Sequence, residues 1–170
     1  MRIYLIGFMA SGKSTLGIEL ARALNYEFVD LDHYIEQKYD RTIKQIFEQQ
    51  GEDYFRIVEN EALREVSSVE GNIVIAAGGG TSCFYNSIDY MNKTGLTVYL
   101  KLEVAELVAR LIDSKKDRPL LWGKTEQELT EYILRMLDER KKNYEKAKIT
   151  IDASIADIPN LANTINASIS

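Results

Sequence analysis

Residues 7–14 read Gly-Phe-Met-Ala-Ser-Gly-Lys-Ser, which is a glycine, four further residues and then Gly-Lys-Ser. The stretch follows the apolar run Arg2–Ile6 and precedes a segment in which Leu16, Leu20 and Leu24 recur every fourth residue. A short apolar run bounded by glycine is typical of a buried strand, and the leucine spacing is typical of an amphipathic helix. The sequence therefore predicts a strand, a glycine-containing loop and a helix in immediate succession.

This order of elements identifies residues 7–14 as a phosphate-binding loop. Gly12 would let the backbone approach a phosphate closely, Lys13 would reach the β- and γ-phosphates, and the Ser14 hydroxyl would bind Mg²⁺. A chance match is the alternative, but the strand and the helix on either side argue against it. The predicted nucleotide contacts are Gly7, Ala10, Ser11, Gly12, Lys13, Ser14 and Thr15.

The composition excludes several classes of protein. The 170 residues carry 21 Lys and Arg against 26 Asp and Glu, and no long basic run offers a general surface for nucleic acid. No apolar stretch reaches the roughly 20 residues that cross a bilayer. Cys83 is the single cysteine and His33 the single histidine, which excludes an internal disulfide and a His- or Cys-rich zinc site. We expect a cytoplasmic protein without nucleic-acid or membrane partners.

Two motifs of GTPases are missing from the sequence. The pair Asn92-Lys93 is followed by Thr94 and Gly95, so the guanine-specifying Asn-Lys-x-Asp pattern is not formed. The apolar run Ile73–Ala77 ends in glycine, where a second metal motif would place an aspartate. The phosphate-binding loop therefore belongs to another class of nucleotide-binding protein.

Apolar runs alternate with helical patterns along the chain. The predicted strands are Arg2–Ile6, Glu27–Leu31, Ile73–Ala77, Thr97–Leu102 and Ile149–Asp152. Further predicted helices are His33–Tyr39, Thr42–Gln50, Asp53–Val69, Glu103–Asp113, Glu126–Ala147 and Ile158–Ser168. The alternation predicts one α/β domain, residues 1–170, with a mostly parallel sheet between two layers of helices. An insertion at about 32–71 would form a substrate-binding subdomain, and the charged loop at about 114–125 a mobile lid.

Two carboxylates, Asp30 and Asp32, follow the second predicted strand. Alternation along an extended segment would place both on one side, at the edge of a parallel sheet where ligands bind. One carboxylate would help to hold Mg²⁺ beside Ser14, and the other would accept a hydrogen bond from a substrate hydroxyl. The alternative is that Asp32 is only the N-cap of the following helix.

The run Gly78-Gly79-Gly80 ends the third predicted strand at the same edge. Without side chains, the backbone can approach a ligand closely and present its amides as hydrogen-bond donors. The alternative is a flexible turn before a helix near Phe84. The position of the run at the ligand-binding edge favours contact with a substrate.

Five motifs in order make the chain resemble the shikimate kinase family over nearly its whole length. They are the phosphate-binding loop, Asp30-x-Asp32, Phe55-Arg56-x-x-Glu59, Gly78-Gly79-Gly80 and Arg118-Pro119-Leu120-Leu121. The resemblance implies a nucleoside-monophosphate-kinase-like fold with a five-stranded parallel sheet, a substrate-binding subdomain and a lid. It also implies transfer of the ATP γ-phosphoryl group to the 3-hydroxyl of shikimate, on the route to chorismate and aromatic amino acids.

The resemblance also implies roles for single residues. Asp32 matches the residue that contacts the substrate hydroxyls and is the candidate base, and Asp30 matches the member associated with Mg²⁺. Arg56 and Arg140 match the arginines that clamp the substrate carboxylate. Arg118 matches the lid arginine near the transferring phosphate and, with Lys13 and Asp32, is assigned to catalysis. Arg110 resembles an arginine that packs against adenine.

Each of the three arginines Arg56, Arg140 and Arg118 has an alternative interpretation in which it binds no ligand. Arg56 would form an exposed bridge to Glu59 or Glu52, Arg140 would lie on a solvated helix face, and Arg118 would be an ordinary loop residue. The chain departs from the family pattern at Ala10, where a glycine is frequent, and at Lys142, where a proline is frequent. Alanine is expected to be tolerated at residue 10 if its φ is negative, and the helix through residue 142 is expected to continue.

Three competing functions share the phosphate-binding loop. They are a sugar-acid kinase of the gluconate type, a nucleoside-monophosphate kinase and a non-catalytic nucleotide-binding module. Arg56 and the triple glycine argue against the first, and no base-recognition pocket is identified for the second. The intact set Lys13, Ser14, Asp30, Asp32 and Arg118 argues against the third. The sequence thus predicts a monomeric enzyme that uses ATP and Mg²⁺ with a small carboxylate substrate.

Overall fold

The structure, a computed structural model, describes residues 1–113 and 123–169. Its strands are β1 (Arg2–Ile6), β2 (Glu27–Asp30), β3 (Ile73–Ala76), β4 (Leu96–Lys101) and β5 (Ile149–Asp152). Its α-helices are α1 (Lys13–Leu24), α2 (Leu31–Tyr39), α3 (Ile43–Ser68), α4 (Ser87–Thr94), α5 (Val104–Asp113), α6 (Glu126–Tyr144) and α7 (Ile158–Ile169), and a 3₁₀ helix covers Thr81–Cys83. Strands and helices alternate as the sequence predicts.

The strands form one parallel sheet in the order β2-β3-β1-β4-β5. β1 is the central strand, since Tyr4 is in register with Ile75 of β3 on one side and with Thr97 of β4 on the other. The predicted α/β fold with a five-stranded parallel sheet is confirmed for the part of the chain that the structure describes.

The alternation of β1 shows why the fold has three layers. Ile3 and Leu5 point to one face of the sheet, where they pack against α1 and α7 through Leu20, Ala21, Leu161, Ala162 and Ile165. Tyr4 and Ile6 point to the other face, where they pack against α2, α3 and α4 through residues that include Leu31, Ile35, Phe55, Val58, Leu63 and Met91. A strand that is apolar on both sides needs a helical layer on each face.

A third apolar cluster joins the phosphate-binding loop to the last helices. Phe8 packs there with Leu107 and Leu111 of α5 and with Leu129 and Ile133 of α6. All five side chains are buried. The loop conformation is therefore tied to the packing of α5 on α6.

The boundary between β2 and α2 differs from the prediction. The strand ends at Asp30, not Leu31, because the Asp30 carboxylate accepts a hydrogen bond from the backbone N–H of His33 and caps α2. Asp32 therefore lies in the first turn of α2 and not on an extended segment. The predicted alternation of the two carboxylates along a strand is wrong, and so is the suggestion that Asp32 is the N-cap.

The long helix α3 changes direction at Gly51. This residue has φ 83 and ψ 172 inside the helix, values at which a residue with a side chain is strained. The two segments on either side correspond to the predicted helices Thr42–Gln50 and Asp53–Val69. Within the described residues, no helix has the length and apolar character that a membrane-spanning segment needs.

The sheet order brings three loops together at one edge. The loop after β1 contains residues 7–14, the end of β2 is Asp30, and the loop after β3 contains Gly78–Gly80. Because β2, β3 and β1 are neighbours, their carboxyl ends form a continuous edge, which is where ligands bind in parallel α/β sheets.

Candidate active site

The loop of residues 7–14 wraps the N-terminus of α1. Gly7 and Gly12 have φ 148 and φ 93, and Gly12 caps α1 without a side chain. A Cβ atom on Gly7 would lie 2.6 Å from the carbonyl oxygen of Leu100, so the loop packs against β4 as closely as a glycine permits. The first turn of α1 presents backbone amides and the positive end of the helix dipole, which suit an anion.

Ala10 adopts a left-handed conformation with φ 64. The condition on which alanine was expected to be tolerated here, a negative φ, is therefore not met. Its carbonyl oxygen accepts a hydrogen bond from Arg110 Nη1 at 3.3 Å, which helps to hold the peptide in this orientation. The loop therefore keeps a glycine-like turn with an alanine, at a cost in conformational strain.

Lys13 is buried, and its ammonium group is turned toward its own loop. Nζ donates hydrogen bonds to the carbonyl oxygens of Gly7 and Phe8 at 2.9 and 2.8 Å. The two carbonyl oxygens hold the buried ammonium group near the N-terminus of α1. The oxygens of a bound phosphate can replace these carbonyl oxygens as hydrogen-bond acceptors.

Ser14 and Asp30 are in direct contact. The Ser14 hydroxyl donates a hydrogen bond to the Asp30 carboxylate, whose other oxygen caps α2. A hydroxyl and a carboxylate side by side next to a phosphate-binding loop are the hard oxygen donors that Mg²⁺ prefers. Among the described residues there is no cluster of three or more His, Cys, Asp or Glu side chains that would hold a metal unaided.

Asp32 faces the same pocket from the first turn of α2. Burial, together with the negative charges of Glu59 and Asp30, raises its pKa from 3.8 to about 6, and the positive charge of Lys13 partly offsets this. Its Oδ1 atom is so close to the backbone of Gly78 that a Cβ atom there would lie at 3.0 Å. The group is therefore poised to exchange a proton near neutral pH.

These residues enclose one cavity of about 430 Å³. Its walls are Met9, Ala10, Gly12, Lys13, Ser14, Thr15, Asp30, Asp32, Ala77, Gly78, Gly79 and Arg110. Five of the seven predicted phosphate-binding residues, both aspartates and two of the three glycines thus meet around one space. In the described part of the chain, the predicted site residues outside these walls are Gly7, Ser11, Arg56, Gly80 and Arg140.

Arg56 is buried at the base of the glycine turn. Its Nη1 donates to the Glu59 carboxylate at 2.9 Å, and its Nε and Nη2 donate to Glu52 at 3.2 and 3.1 Å. The bridge to Glu59 is buried, so the alternative of an exposed bridge holds only for Glu52, which is 56% exposed. One face of the guanidinium lies over the ring of Phe84, 4.3 Å from its centroid.

Glu59 connects Arg56 to the glycine turn. Its carboxylate is 2% exposed and accepts a second hydrogen bond from the Thr81 hydroxyl at 2.6 Å. With one charged and one neutral donor, the buried carboxylate is well satisfied. The predicted interaction of Glu59 with Arg56 is confirmed.

Arg140 is buried on α6 and not on a solvated face. Its guanidinium carbon lies 5.6 Å from the centroid of the Phe8 ring, and Nη1 approaches Gly79. In residues 1–113 and 123–169, no carboxylate lies within ion-pair distance of Arg140. The helix also continues through Lys142, as expected.

The triple glycine is required by close contacts. A Cβ atom would lie 2.7 Å from Glu59 at Gly78, 3.2 Å from the amide of Met9 at Gly79 and 2.7 Å from the Arg56 guanidinium at Gly80. The segment is also an ordered turn, since Gly78 and Gly80 accept backbone hydrogen bonds from Thr81 and Cys83. Phe84 is not in a helix, because the 3₁₀ helix ends at Cys83 and α4 begins at Ser87.

A second cavity of about 240 Å³ lies beside the phosphate-binding loop. Its walls are Ser11, Gly12, Thr15, Leu16, Glu19, Arg110, Ala153, Ala156 and Ile158. Arg110 is held by Glu106 at 2.6 Å and borders both cavities. The sequence analysis missed the small residues Ala153 and Ala156, because no motif marks them. Arg118 and most of the predicted lid lie outside the described residues.

The comparisons with known proteins agree with each other. The family model described as "Shikimate kinase" matches residues 9–170. The chain is 41% identical over 168 residues to a shikimate kinase of Parabacteroides distasonis, covering 96% of each protein. It is similar to a solved shikimate kinase from Bacteroides thetaiotaomicron, with a TM-score of 0.91, 39% identity and 99% and 98% coverage. A solved shikimate kinase from Acinetobacter baumannii in complex with shikimate gives a TM-score of 0.83, 37% identity and 99% and 92% coverage.

The left-handed conformation of Ala10 predicts an effect on stability. We expect Ala10→Gly to raise the free energy of unfolding by about 1 kcal/mol, because glycine adopts this conformation without strain. Ala109→Gly is the control, since the same change in the exposed middle of α5 should lower it by about 1 kcal/mol. Urea unfolding measures both. A loss of stability for Ala10→Gly equal to that of Ala109→Gly would contradict the conformation described here.

The raised pKa of Asp32 predicts a pH dependence of stability. The folded protein binds the proton of the Asp32 carboxyl more tightly than the unfolded chain does. The stability that this protonation contributes is therefore complete below pH 3.8 and is lost as the pH rises through about 6. We expect Asp32→Asn to raise the free energy of unfolding at about pH 8 by on the order of 2 kcal/mol and to flatten the decline below that pH.

The measurement is urea unfolding across this pH range. Glu61→Gln, which removes an exposed carboxylate on α3, is the control and should leave the decline with pH intact. Curves for wild type and Asp32→Asn that stay parallel across the range would show that Asp32 does not titrate there.

Proposed function

The chain belongs to the shikimate kinase family, and we propose that its two cavities and the adjoining glycine turn transfer a phosphoryl group from ATP to shikimate. The reaction gives ADP and shikimate 3-phosphate, on the route to chorismate and aromatic amino acids. The observation that carries the assignment of residues is the buried guanidinium of Arg140, which has no carboxylate partner in the described part of the chain. A buried cation in this situation requires an anionic ligand.

The proposed nucleotide site comprises the phosphate-binding loop and the second cavity. The phosphates of ATP contact the amides at Gly7 and residues 10–15 and displace the Gly7 and Phe8 carbonyl groups from Lys13. Adenine occupies the 240 Å³ cavity, with Arg110 packed against it. The support is the continuity of the two cavities, since Gly12, Thr15 and Arg110 border both.

Mg²⁺ is proposed to bind between Ser14 and Asp30. Both groups are oxygen donors, and the described residues form no cluster of three or more His, Cys, Asp or Glu side chains, which fits a metal that takes few protein ligands and completes its shell with phosphates and water. When bound, the ion neutralises charge on the transferring phosphoryl group. Asp30 also caps α2, the helix that carries Asp32. The cap therefore fixes the position of the Asp30 carboxylate, which is proposed to hold the ion.

The proposed shikimate site lies between α3, α6 and the glycine turn. The guanidinium groups of Arg56 and Arg140 bind the carboxylate of shikimate, because a planar pair of N–H donors matches a carboxylate. Gly78, Gly79 and Gly80 add backbone contacts. Asp32 accepts a hydrogen bond from the 3-hydroxyl and, with its raised pKa, removes its proton during transfer.

The proposed transfer step depends on orientation and charge. The shikimate oxygen attacks the γ-phosphorus as the bond to the β-phosphate oxygen breaks, and Asp32 takes the hydroxyl proton. Lys13 and the lid residue Arg118 stabilise the equatorial oxygens, and a closed lid excludes water as a competing acceptor. We propose that the enzyme works as a cytoplasmic monomer, without nucleic-acid or membrane partners.

The acceptor is tested by ADP release with Mg-ATP. We expect release with shikimate and only background release with gluconate, AMP, CMP or no acceptor. Because only shikimate combines a carboxylate for the two arginines with the correct hydroxyl, its rate should exceed background by at least about 10³-fold. Release with another acceptor would overturn the shikimate assignment. No release from folded, ATP-binding protein would indicate a non-catalytic module.

The carboxylate clamp is tested at Arg56. Arg56→Lys keeps the positive charge beside Glu59 but loses the planar pair of donors, so we expect the KM for shikimate to rise at least about tenfold. The KM for ATP should change little, because Arg56 is outside the nucleotide cavities. Arg64→Lys, on the exposed side of the same helix, is the matched control. An unchanged KM for shikimate in Arg56→Lys would remove Arg56 from the clamp.

A further inference from the structure

Tyr144 ends α6 one helical turn after Arg140 and is fully buried. Its ring stacks on that of Tyr99 in β4, with centroids 5.0 Å apart and planes inclined by 22°. Its hydroxyl donates a hydrogen bond to the carbonyl oxygen of Gly79 and also interacts with the Arg140 guanidinium. A single side chain therefore joins the helix that carries Arg140 to the central residue of the glycine turn.

The peptide between Gly79 and Gly80 joins two residues without a Cβ atom. Each can therefore adopt backbone angles that a residue with a side chain could not, and neighbouring groups must fix the orientation of the peptide. In a trans peptide the C=O and the following N–H point in opposite directions. A hydrogen bond that fixes the Gly79 carbonyl therefore also fixes the direction of the Gly80 amide.

The amide of Gly80 donates no hydrogen bond within the part of the chain that the structure describes, whereas the Gly80 carbonyl accepts one from Cys83. Gly80 also packs directly against the Arg56 guanidinium, and Gly79 against that of Arg140. The orientation of this peptide therefore affects the space between the two arginines.

We propose that the Tyr144 hydroxyl is a positioning group for shikimate, which fixes the Gly79–Gly80 peptide so that the Gly80 amide and both arginines meet the substrate in one arrangement. This inference rests on the proposed shikimate site. Tyr144 itself does not touch the reacting atoms. The ring is held by its stack on Tyr99, so the hydroxyl reaches Gly79 from a rigid support.

Tyr4 provides a matched control for the loss of a buried tyrosine hydroxyl. It is also fully buried, and its hydroxyl bonds with Ser67 and Thr94 at 3.0 and 2.8 Å, near the opposite ends of the strands. Tyr4→Phe and Tyr144→Phe each remove one buried hydroxyl and keep the ring. Both changes leave polar groups without the hydrogen bond from tyrosine, but only Tyr144→Phe removes a hydrogen bond to the glycine turn.

The test compares steady-state kinetics of wild type, Tyr144→Phe and Tyr4→Phe, with the urea midpoint of each. We expect Tyr144→Phe to raise the KM for shikimate about fivefold, while kcat and the KM for ATP stay within about twofold of wild type. This split is expected because the hydroxyl organises substrate binding and does not act on the transferring group. Tyr4→Phe should lower the urea midpoint but leave all kinetic constants at wild-type values.

Three results would overturn the proposal. They are a wild-type KM for shikimate in Tyr144→Phe, an equal rise in Tyr4→Phe, and an equal rise in the KM for both substrates of Tyr144→Phe. If Tyr144→Phe does not fold, Tyr99→Leu is used in its place, because this change removes the aromatic support of Tyr144 but keeps the hydroxyl. Its affinity for shikimate is measured by calorimetric titration, and a wild-type affinity would reject the positioning role. Failure of wild type to phosphorylate shikimate would instead reject the proposed function.

Discussion

The buried carboxylate of Glu59 is the interaction on which the acceptor side of the site depends. It pairs with Arg56, accepts from Thr81 and contributes negative charge near Asp32. Removal of either member of a buried pair leaves an uncompensated charge at a cost of about 3–5 kcal/mol. The same group thus orients the guanidinium, anchors the segment after the glycine turn and raises the pKa of Asp32. Stability and chemistry are coupled at one side chain.

The close packing around the glycine turn is a second constraint on the site. Gly78, Gly79 and Gly80 contact Glu59, the phosphate-binding loop and Arg56 in turn; a Cβ atom would clash at Gly78 and Gly80 and would be tightly packed at Gly79. These contacts bring α3, α6 and the loop after β1 to within reach of one ligand. Arg56 and Arg140 can hold a ligand in one orientation only if the backbone of the glycine turn between them is equally well positioned. The hydrogen bond from Tyr144 to Gly79 matters for this reason.

The sequence was sufficient to predict the fold and the loop of residues 7–14, because strand and helix periodicity and the glycine spacing are local signals. It also predicted a substrate-binding role for Arg56 and Arg140, but only through resemblance to a family. The start of α2 was misplaced because the cap by Asp30 depends on one carboxylate orientation. The φ of Ala10, the aromatic cover of Arg56 by Phe84 and the bond from Tyr144 depend on contacts between distant segments, so no local pattern encodes them.

The central position of β1 has a consequence for how the chain folds. Its hydrogen-bond partners are β3 and β4, which begin at residues 73 and 96. During synthesis, β1 stays unpaired until β3 is made at residues 73–76, and its second neighbour β4 is complete only at residue 101. Non-local parallel pairing of this kind is slow to form and exposes an apolar segment meanwhile. The central strand, although it precedes β2, β3, β4 and β5 in the chain, therefore gains its second neighbour only after residue 101 has been made.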